Sequence, residues 1–148
     1  MLVGGLAWAS FGLSTAWFRL SMGGWETEAS IWRVAVLFAA GAFLAFAPAL
    51  WLARFASAGR TPSVRFAAHL LFLATVTVAV TAVLFALVYR GYYAQWHEEM
   101  FTYVWFLQFI FTSASAVYQF AVLGLRAYLP FGLVALPVFA WALSRATR

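Results

Sequence analysis

Residues 66–89, "FAAHLLFLATVTVAVTAVLFALVY", decide the fold of this chain. The stretch contains no Asp, Glu, Lys or Arg, and its polar residues are scattered singly among apolar ones. An apolar run of about 18 residues or more is long enough to cross the hydrocarbon core of a bilayer as a helix. Because the bilayer offers no water to the backbone, the peptide groups must bond within the segment. The stretch therefore predicts a membrane-spanning α-helix.

Four further apolar runs flank this segment: residues 2–18, 34–53, 101–123 and 127–143. The composition agrees with them, because 66% of the 148 residues are hydrophobic and 9% are charged. A soluble domain has about 25% charged residues. We therefore expect one all-α domain, a polytopic integral membrane bundle of about five transmembrane helices. Four helices plus a re-entrant segment over residues 127–143 are the alternative.

The distribution of charge predicts the orientation in the membrane. The loop 54–65 contains three arginines and no acid, which is typical of a cytoplasmic loop. The N-terminus is then also cytoplasmic, and the segments around Glu26 and Glu98 lie on the other side. Five spans place the C-terminus outside, whereas Arg145 and Arg148 favour the inside. The chain has nine arginines and no lysine, a bias typical of GC-rich bacterial genes, so we expect a bacterial inner membrane.

The most polar stretch is "RGYYAQWHEEMF", residues 90–101. It resembles the zinc motif H-E-x-x-H, but Phe101 stands where the second histidine is required. His97, Glu98 and Glu99 are consecutive, so on a helix they point about 100° apart and cannot share one metal. Tyrosines and tryptophans surround them, as in the aromatic belt at a membrane surface. We expect a water-facing turn without a metal, in which Glu98, Glu99 and Arg90 are available to a partner.

His69 is the one candidate cofactor ligand. His69 and His97 are separated by 28 residues, about 42 Å along a single helix, so they cannot hold one haem together. His69 alone could ligate a haem or a chlorophyll-type pigment shared with a partner. The alternative is a helix-end histidine bonded to a loop or to headgroups. No other cofactor is evident, and because the chain has no cysteine, disulfides, thiolate catalysis and iron–sulfur clusters are excluded.

The predicted fourth span carries a polar stripe. The stripe consists of four residues at spacings of four, three and four, which place them on one helix face: Gln108, Thr112, Ser115 and Gln119. Such a face predicts hydrogen bonding to another helix, with a polar path or a lipid-headgroup groove as alternatives. No Asp, Glu, Lys or Arg lies well inside a predicted span, which disfavours ion-coupled transport.

Three segments carry a resemblance to a known family: "FAPALWLARF" at 46–55, "YYAQWHEEMF" at 92–101, and "FIFTSASAVYQFAVLGLRAYLP" at 109–130. With the last apolar helix, this order is similar to the five-span N-terminal membrane domain of the lipoteichoic acid synthase and phosphoglycerol transferase family. Thr112 matches the threonine of the family's Thr-x-Glu-Val element, but no glutamate follows it. Family members continue into an extracellular metal-dependent catalytic domain, whereas this sequence ends at Arg148. The resemblance therefore implies membrane anchoring or lipid contact.

These observations support three hypotheses about function. The sequence contains no nucleophile–base pair, carboxylate pair or phosphate-binding loop, so we expect a protein that is not an enzyme. The first hypothesis is a small accessory or structural subunit that packs against other integral membrane subunits. The second is a lipid-handling domain related to the phosphoglycerol transferases, and the third is a small channel or transporter. Membrane lipids are expected partners, whereas nucleic acid is not, because no basic run is present.

Overall fold

The computed structural model describes residues 1–23 and 28–146, and these residues form helices and turns without a β-strand. The α-helices are α1 (Leu2–Met22), α2 (Glu28–Ser57), α3 (Pro62–Tyr93), α4 (Tyr103–Gln119) and α5 (Gly132–Ala146). Three helical segments are long and apolar enough to cross a membrane, namely Glu28–Ser57, Pro62–Trp96 and Tyr103–Tyr128, and α5 is a shorter apolar helix. The expected all-α membrane class is confirmed, but the expected count of five spans is not.

Helices α2 and α3 extend past the apolar runs that predicted them. Glu28 lies in the first turn of α2 and Arg54 in its last turn, where each charge complements the helix dipole. Pro62 occupies the first turn of α3, a position where its fixed φ suits the helix and its missing N–H leaves no bond unmade. Hydropathy marks the part of a helix that suits a bilayer, whereas charges and caps mark where the helix ends.

Helix α2 is the centre of the bundle, with its most extensive contacts to α3 and then to α1. At Gly12, a Cβ atom would lie 2.8 Å from the carbonyl oxygen of Phe38, so α1 and α2 approach each other closely. At Gly41, a Cβ atom would collide with Thr81 of α3. Small residues at these two crossings let the backbones pack, as expected for helices in a bilayer.

Helix α4 does not end in a loop. It continues as a π-helical turn, Phe120–Gly124, and a 3-10 turn, Leu125–Tyr128. The peptide bond between Leu129 and Pro130 is cis, and α5 follows. The break between α4 and α5 thus falls inside the predicted fifth run, residues 127–143.

Beyond this break the chain keeps one direction across the bundle. The Tyr128 hydroxyl donates to Thr81 in the middle of α3, the Phe139 ring lies 4.9 Å from the Trp8 ring, and Ala146 shares a cavity with Arg65 at the start of α3. The end of α5 is therefore at the same end of the bundle as the turn between α2 and α3. Glu26 and Arg148 lie outside the described residues.

Candidate functional site

The segment that connects α3 to α4, residues 94–102, is here called the α3–α4 loop. It begins with a 3-10 turn, Ala94–Trp96, after which His97 is extended. At its other end the Thr102 hydroxyl accepts a hydrogen bond from the Trp105 N–H at 3.1 Å. This cap satisfies one of the free N–H groups at the start of α4 and fixes where the helix begins.

The polar stripe of α4 holds this loop. The side-chain oxygen of Gln108 accepts from the Glu98 N–H at 2.9 Å, and His97 Nε2 lies 3.2 Å from the Thr112 hydroxyl. That hydroxyl donates its proton to the Gln108 carbonyl, so Nε2 of His97 must be the donor in the contact with Thr112. Two stripe residues therefore bond to the chain's own loop.

The other two stripe residues differ from each other. The Gln119 amide donates to the Tyr89 hydroxyl of α3 at 3.1 Å, which is the helix–helix bond that the pattern predicts. Ser115 is exposed and makes no hydrogen bond to the rest of the described chain. Contact of the stripe with lipid or with a partner stays a prediction. Three of its four residues already form side-chain hydrogen bonds within the chain.

Arg90 lies beside this loop but is not extended into solvent. Its guanidinium carbon lies 3.9 Å from the centre of the Phe109 ring, a cation–π contact with α4. Its Nε is buried without a hydrogen-bond partner among the described residues. The sequence grouped Arg90 with Glu98 and Glu99 as available to a partner, whereas the structure places the arginine against α4 and leaves the two glutamates exposed.

The α3–α4 loop exposes acidic and apolar side chains together, namely Trp96, Glu98, Glu99, Met100 and Phe101. The two carboxylates form no ion pair within residues 1–23 and 28–146. Met100 is 73% exposed and Phe101 is 89% exposed. Phe101 has a φ of +70°, which is rare for a bulky side chain, and its ring lies 5.7 Å from that of Trp105.

Sequence reasoning missed Met100 and Phe101. The sequence drew attention to Phe101 only because this residue occupies the position of the second histidine in the zinc motif. No sequence pattern signals a positive φ at a phenylalanine, because this conformation is imposed by the surroundings and not favoured by the residue. In the described part of the chain, no group of three or more His, Cys, Asp or Glu residues is placed to bind a metal ion.

His69 lies at the opposite end of α3. Its side chain is 1% exposed, and Nδ1 lies 2.8 Å from the Arg65 carbonyl oxygen, which accepts the bond. Nε2 is buried without a partner in the described chain. The imidazole thus has the tautomer of an axial ligand, with Nδ1–H bonded to a carbonyl, but a haem or pigment ring would have to displace packed side chains to reach Nε2. The cofactor role of His69 stays a prediction.

An apolar cleft of about 900 Å³ opens between α1 and α5. Its walls include Phe11 and Phe18 of α1, Trp32 of α2, and Phe131 and Val138 next to or within α5. The cleft is lined almost entirely by carbon, so it suits an acyl chain or an apolar helix face and not a polar solute.

Comparison with known proteins does not place the chain in a family. The sequence matches no protein-family model and no curated protein, and the fold matches no solved structure. The resemblance to the phosphoglycerol transferases stays a prediction. The function is therefore argued from the geometry of the chain itself.

Proposed function

We propose that this protein is a non-catalytic integral membrane subunit that binds a larger membrane protein through the exposed side chains of the α3–α4 loop. We call these side chains the docking surface: Trp96, Glu98, Glu99, Met100 and Phe101. The observation that carries the proposal is the conformation of Phe101, which is almost fully exposed although its backbone has a φ of +70°. Such a conformation costs about 1–3 kcal/mol, and residues held in this way cluster at binding sites. Within the described chain the ring contacts only that of Trp105, so most of its surface is free to bind a partner.

The chemistry of the surface indicates the chemistry of its partner. Aromatic residues and methionine are enriched in the cores of protein interfaces, so Phe101 and Met100 fit an apolar pocket. Glu98 and Glu99 lie beside them without a cation from the described chain. The matching partner surface is an apolar pocket rimmed by Arg or Lys, where the charges increase the association rate and select the correct partner.

The proposed topology has four membrane crossings. The first three are α1, α2 and α3, and the fourth is the broken helix from the end of α4 through α5. The position of Ala146 beside Arg54 and Arg65 supports this assignment. The N-terminus, the loop 54–65 and the C-terminus then face the cytoplasm of a bacterial cell, in agreement with the charge distribution. The docking surface faces the other side of the membrane.

The polar groups within the bundle support a structural role. The indole N–H of Trp8 donates to the Thr77 hydroxyl at 2.9 Å, and the Thr15 hydroxyl donates to the Ala127 carbonyl at 2.9 Å. These bonds join α1 to α3 and to the turn before α5. Polar groups that bond to each other across helices hold a bundle together, which favours a subunit over a channel.

The experiment is purification of the chain from native membranes in a mild detergent, with the amount of co-purified protein measured by quantitative mass spectrometry. The double variant Glu98→Gln/Glu99→Gln should reduce the retained partner, and Phe101→Ser should remove most of it. Glu28→Gln, which neutralises another exposed acid, is the matched control and should leave the partner bound. Melting temperatures of the variants test folding separately.

Two results would contradict the proposal. One is elution of the wild-type chain without a partner at any detergent concentration that preserves its helices. The other is equal retention of a partner by the wild type, Glu98→Gln/Glu99→Gln and Phe101→Ser. The second result would show that a complex forms through another surface.

A lipid-handling domain is the second candidate, and the apolar cleft between α1 and α5 favours it. The cleft has the volume and lining that an acyl chain requires. Ala135→Trp, which adds an indole to the cleft wall, should lower the amount of lipid that survives detergent extraction. Leu87→Trp on the exposed face of α3 is the control, and equal lipid retention by both variants would remove this candidate.

A further inference from the structure

A second cavity lies at the other end of the bundle, where α2 turns into α3. Its volume is about 690 Å³, and Arg54, Ser57, Arg60, Arg65 and Ala146 contribute to its walls. This volume is within the range of small-molecule sites, about 300–1,000 Å³. The proposed docking function does not use this cavity, which lies at the opposite end of α3.

The cavity is strongly cationic. Three guanidinium groups line it, and no acid does. The four acids of the sequence are at positions 26, 28, 98 and 99, so none lies between α2's first turn and the end of α3. Arg145 is close in sequence to the cavity wall, but its guanidinium carbon lies 4.3 Å from the centre of the Trp141 ring. The positive charge of the cavity is therefore not neutralised by the described chain.

Arg65 has a donor that lacks an acceptor. Its Nε is buried and bonds to no atom of the described chain, and a buried donor without an acceptor is costly. The backbone around it is fixed, because the Arg65 N–H donates to the Thr61 carbonyl and the Arg65 carbonyl accepts from His69. The side chain thus starts from a rigid first turn of α3.

The donors that the cavity offers suit an anion. The Ser57 hydroxyl already donates to the Ala53 carbonyl at 2.6 Å, so the guanidinium groups are the donors that the cavity offers. Helix α3 begins at Pro62, whereas α2 ends at Ser57 and α5 at Ala146, so the helix dipoles do not decide the sign of the cavity and the guanidinium groups do. A planar guanidinium binds phosphate oxygens with two parallel hydrogen bonds.

We propose that this cavity binds a phosphate group through Arg54, Arg60 and Arg65. The phosphate belongs either to the headgroup of an anionic phospholipid or to a free phosphate in solution. The arginines sit at the end of the bundle, level with the helix termini that meet the membrane surface. Basic pockets between transmembrane helices at this depth suit anionic headgroups.

The test uses the full-length chain in nanodiscs. One set contains phosphatidylcholine alone, and the other contains phosphatidylcholine with phosphatidic acid. The variant Arg54→Gln/Arg60→Gln removes two exposed charges from the cavity and leaves the part-buried Arg65 in place. The matched control is Arg19→Gln/Arg33→Gln, which removes two exposed charges from the other end of the bundle. Circular dichroism and melting of each variant establish that it folds.

Two readouts distinguish the sources of the phosphate. Native mass spectrometry counts the phosphatidic acid that stays bound after detergent release. Calorimetric titration of inorganic phosphate into phosphatidylcholine nanodiscs measures the binding of free phosphate. We expect the cavity variant to weaken one of these by at least about tenfold, since it removes two of the three guanidinium groups that line the cavity. The control should bind as the wild type does.

The outcomes separate clearly. If the cavity variant, but not the control, loses phosphatidic acid and still binds inorganic phosphate as the wild type does, the site binds a lipid headgroup. If the cavity variant, but not the control, loses only the binding of inorganic phosphate, the site binds a soluble phosphate. Equal behaviour of the cavity variant and the control in both measurements would overturn the proposal. The arginines would then act only in orienting the chain in the membrane. None of these outcomes depends on the docking surface.

Discussion

The bond between Gln108 and Glu98 gives the sharpest test of how α4 positions its neighbouring loop. In the wild type, the Glu98 N–H donates to Oε1 of Gln108 at 2.9 Å. The variant Gln108→Leu replaces this acceptor by a methyl group of similar size. The contact between His97 and Thr112 remains. A net hydrogen bond contributes about 1 kcal/mol, which corresponds to about a fivefold change in an equilibrium constant. We expect the Glu98 amide to exchange its hydrogen about five times faster in the variant.

Hydrogen–deuterium exchange followed by mass spectrometry measures this change on peptides that cover residues 94–102. The control is Ser115→Ala, because Ser115 belongs to the same predicted stripe but is exposed and makes no hydrogen bond to the described chain. Its exchange in the loop should equal that of the wild type. Peptides from the centre of α2 report on global opening and should be the same in all three proteins.

The same variant tests the link between this bond and docking. A loop that is held in its binding conformation loses less entropy when it binds, so a looser loop binds more weakly. Gln108→Leu should therefore also reduce partner retention, although Gln108 is not part of the docking surface. Unchanged exchange at Glu98 would refute the assignment of the stripe as the support of the loop. Faster exchange with full partner retention would refute the assignment of the loop as the docking element.

Further predictions concern packing and topology. Gly41→Val should destabilise the bundle by about 1–3 kcal/mol, because its side chain would meet Thr81, and melting in detergent should show it. Gly91→Ala, where a Cβ atom has open space, is the control and should melt at the temperature of the wild type or slightly above it, because alanine favours a helix. Thr77→Val should lower the free energy of unfolding by about 1–3 kcal/mol, because it leaves the Trp8 indole N–H unbonded, and melting should show this too. If Gly91→Ala lost more stability than Gly41→Val or Thr77→Val, the helix packing described above would be contradicted. Reporters fused to the C-terminus and inserted at Gly59 should give the same cytoplasmic signal, and opposite signals would contradict four crossings.

Hydropathy predicts the helices of this chain well because burial in a bilayer requires long apolar runs. Hydropathy does not predict whether each of the last two apolar runs crosses the membrane separately. Residues 101–123 and 127–143 read as two crossings, yet the chain from Phe120 to Ala146 moves steadily from Phe85 of α3 towards Arg65. The charge pattern supports the proposed four crossings, because five would place Arg145 on the side opposite to the loop 54–65. A charge that conflicts with a span count is evidence about the count.

Periodicity predicts which residues share a helix face, but not what that face meets. The stripe on α4 was interpreted as a helix contact, a lipid groove or a polar path. The structure shows one helix contact, at Tyr89, and two contacts to the α3–α4 loop. The loop partners lie 10 and 15 residues away in the sequence, and only the path of the turn brings them to α4. A single sequence contains no pattern that encodes such a path.

The net charge of +5 connects the two proposals. Arg54, Arg60, Arg65 and Arg145 gather at one end of the bundle, and Arg148 follows in the sequence; the stretches from residue 54 to 65 and from 145 to 148 contain no acid. The remaining four arginines are equal in number to the four glutamates. Among the described residues, the cavity proposed to bind phosphate lies at the end with Arg54, Arg60, Arg65 and Arg145, and Glu28, Glu98 and Glu99 lie at the other end with the docking surface. If the chain had the reversed orientation in the membrane, the cavity and the docking surface would exchange compartments. Their contacts within the chain would be unchanged, and so would the outcomes expected for Gln108→Leu and for Arg54→Gln/Arg60→Gln.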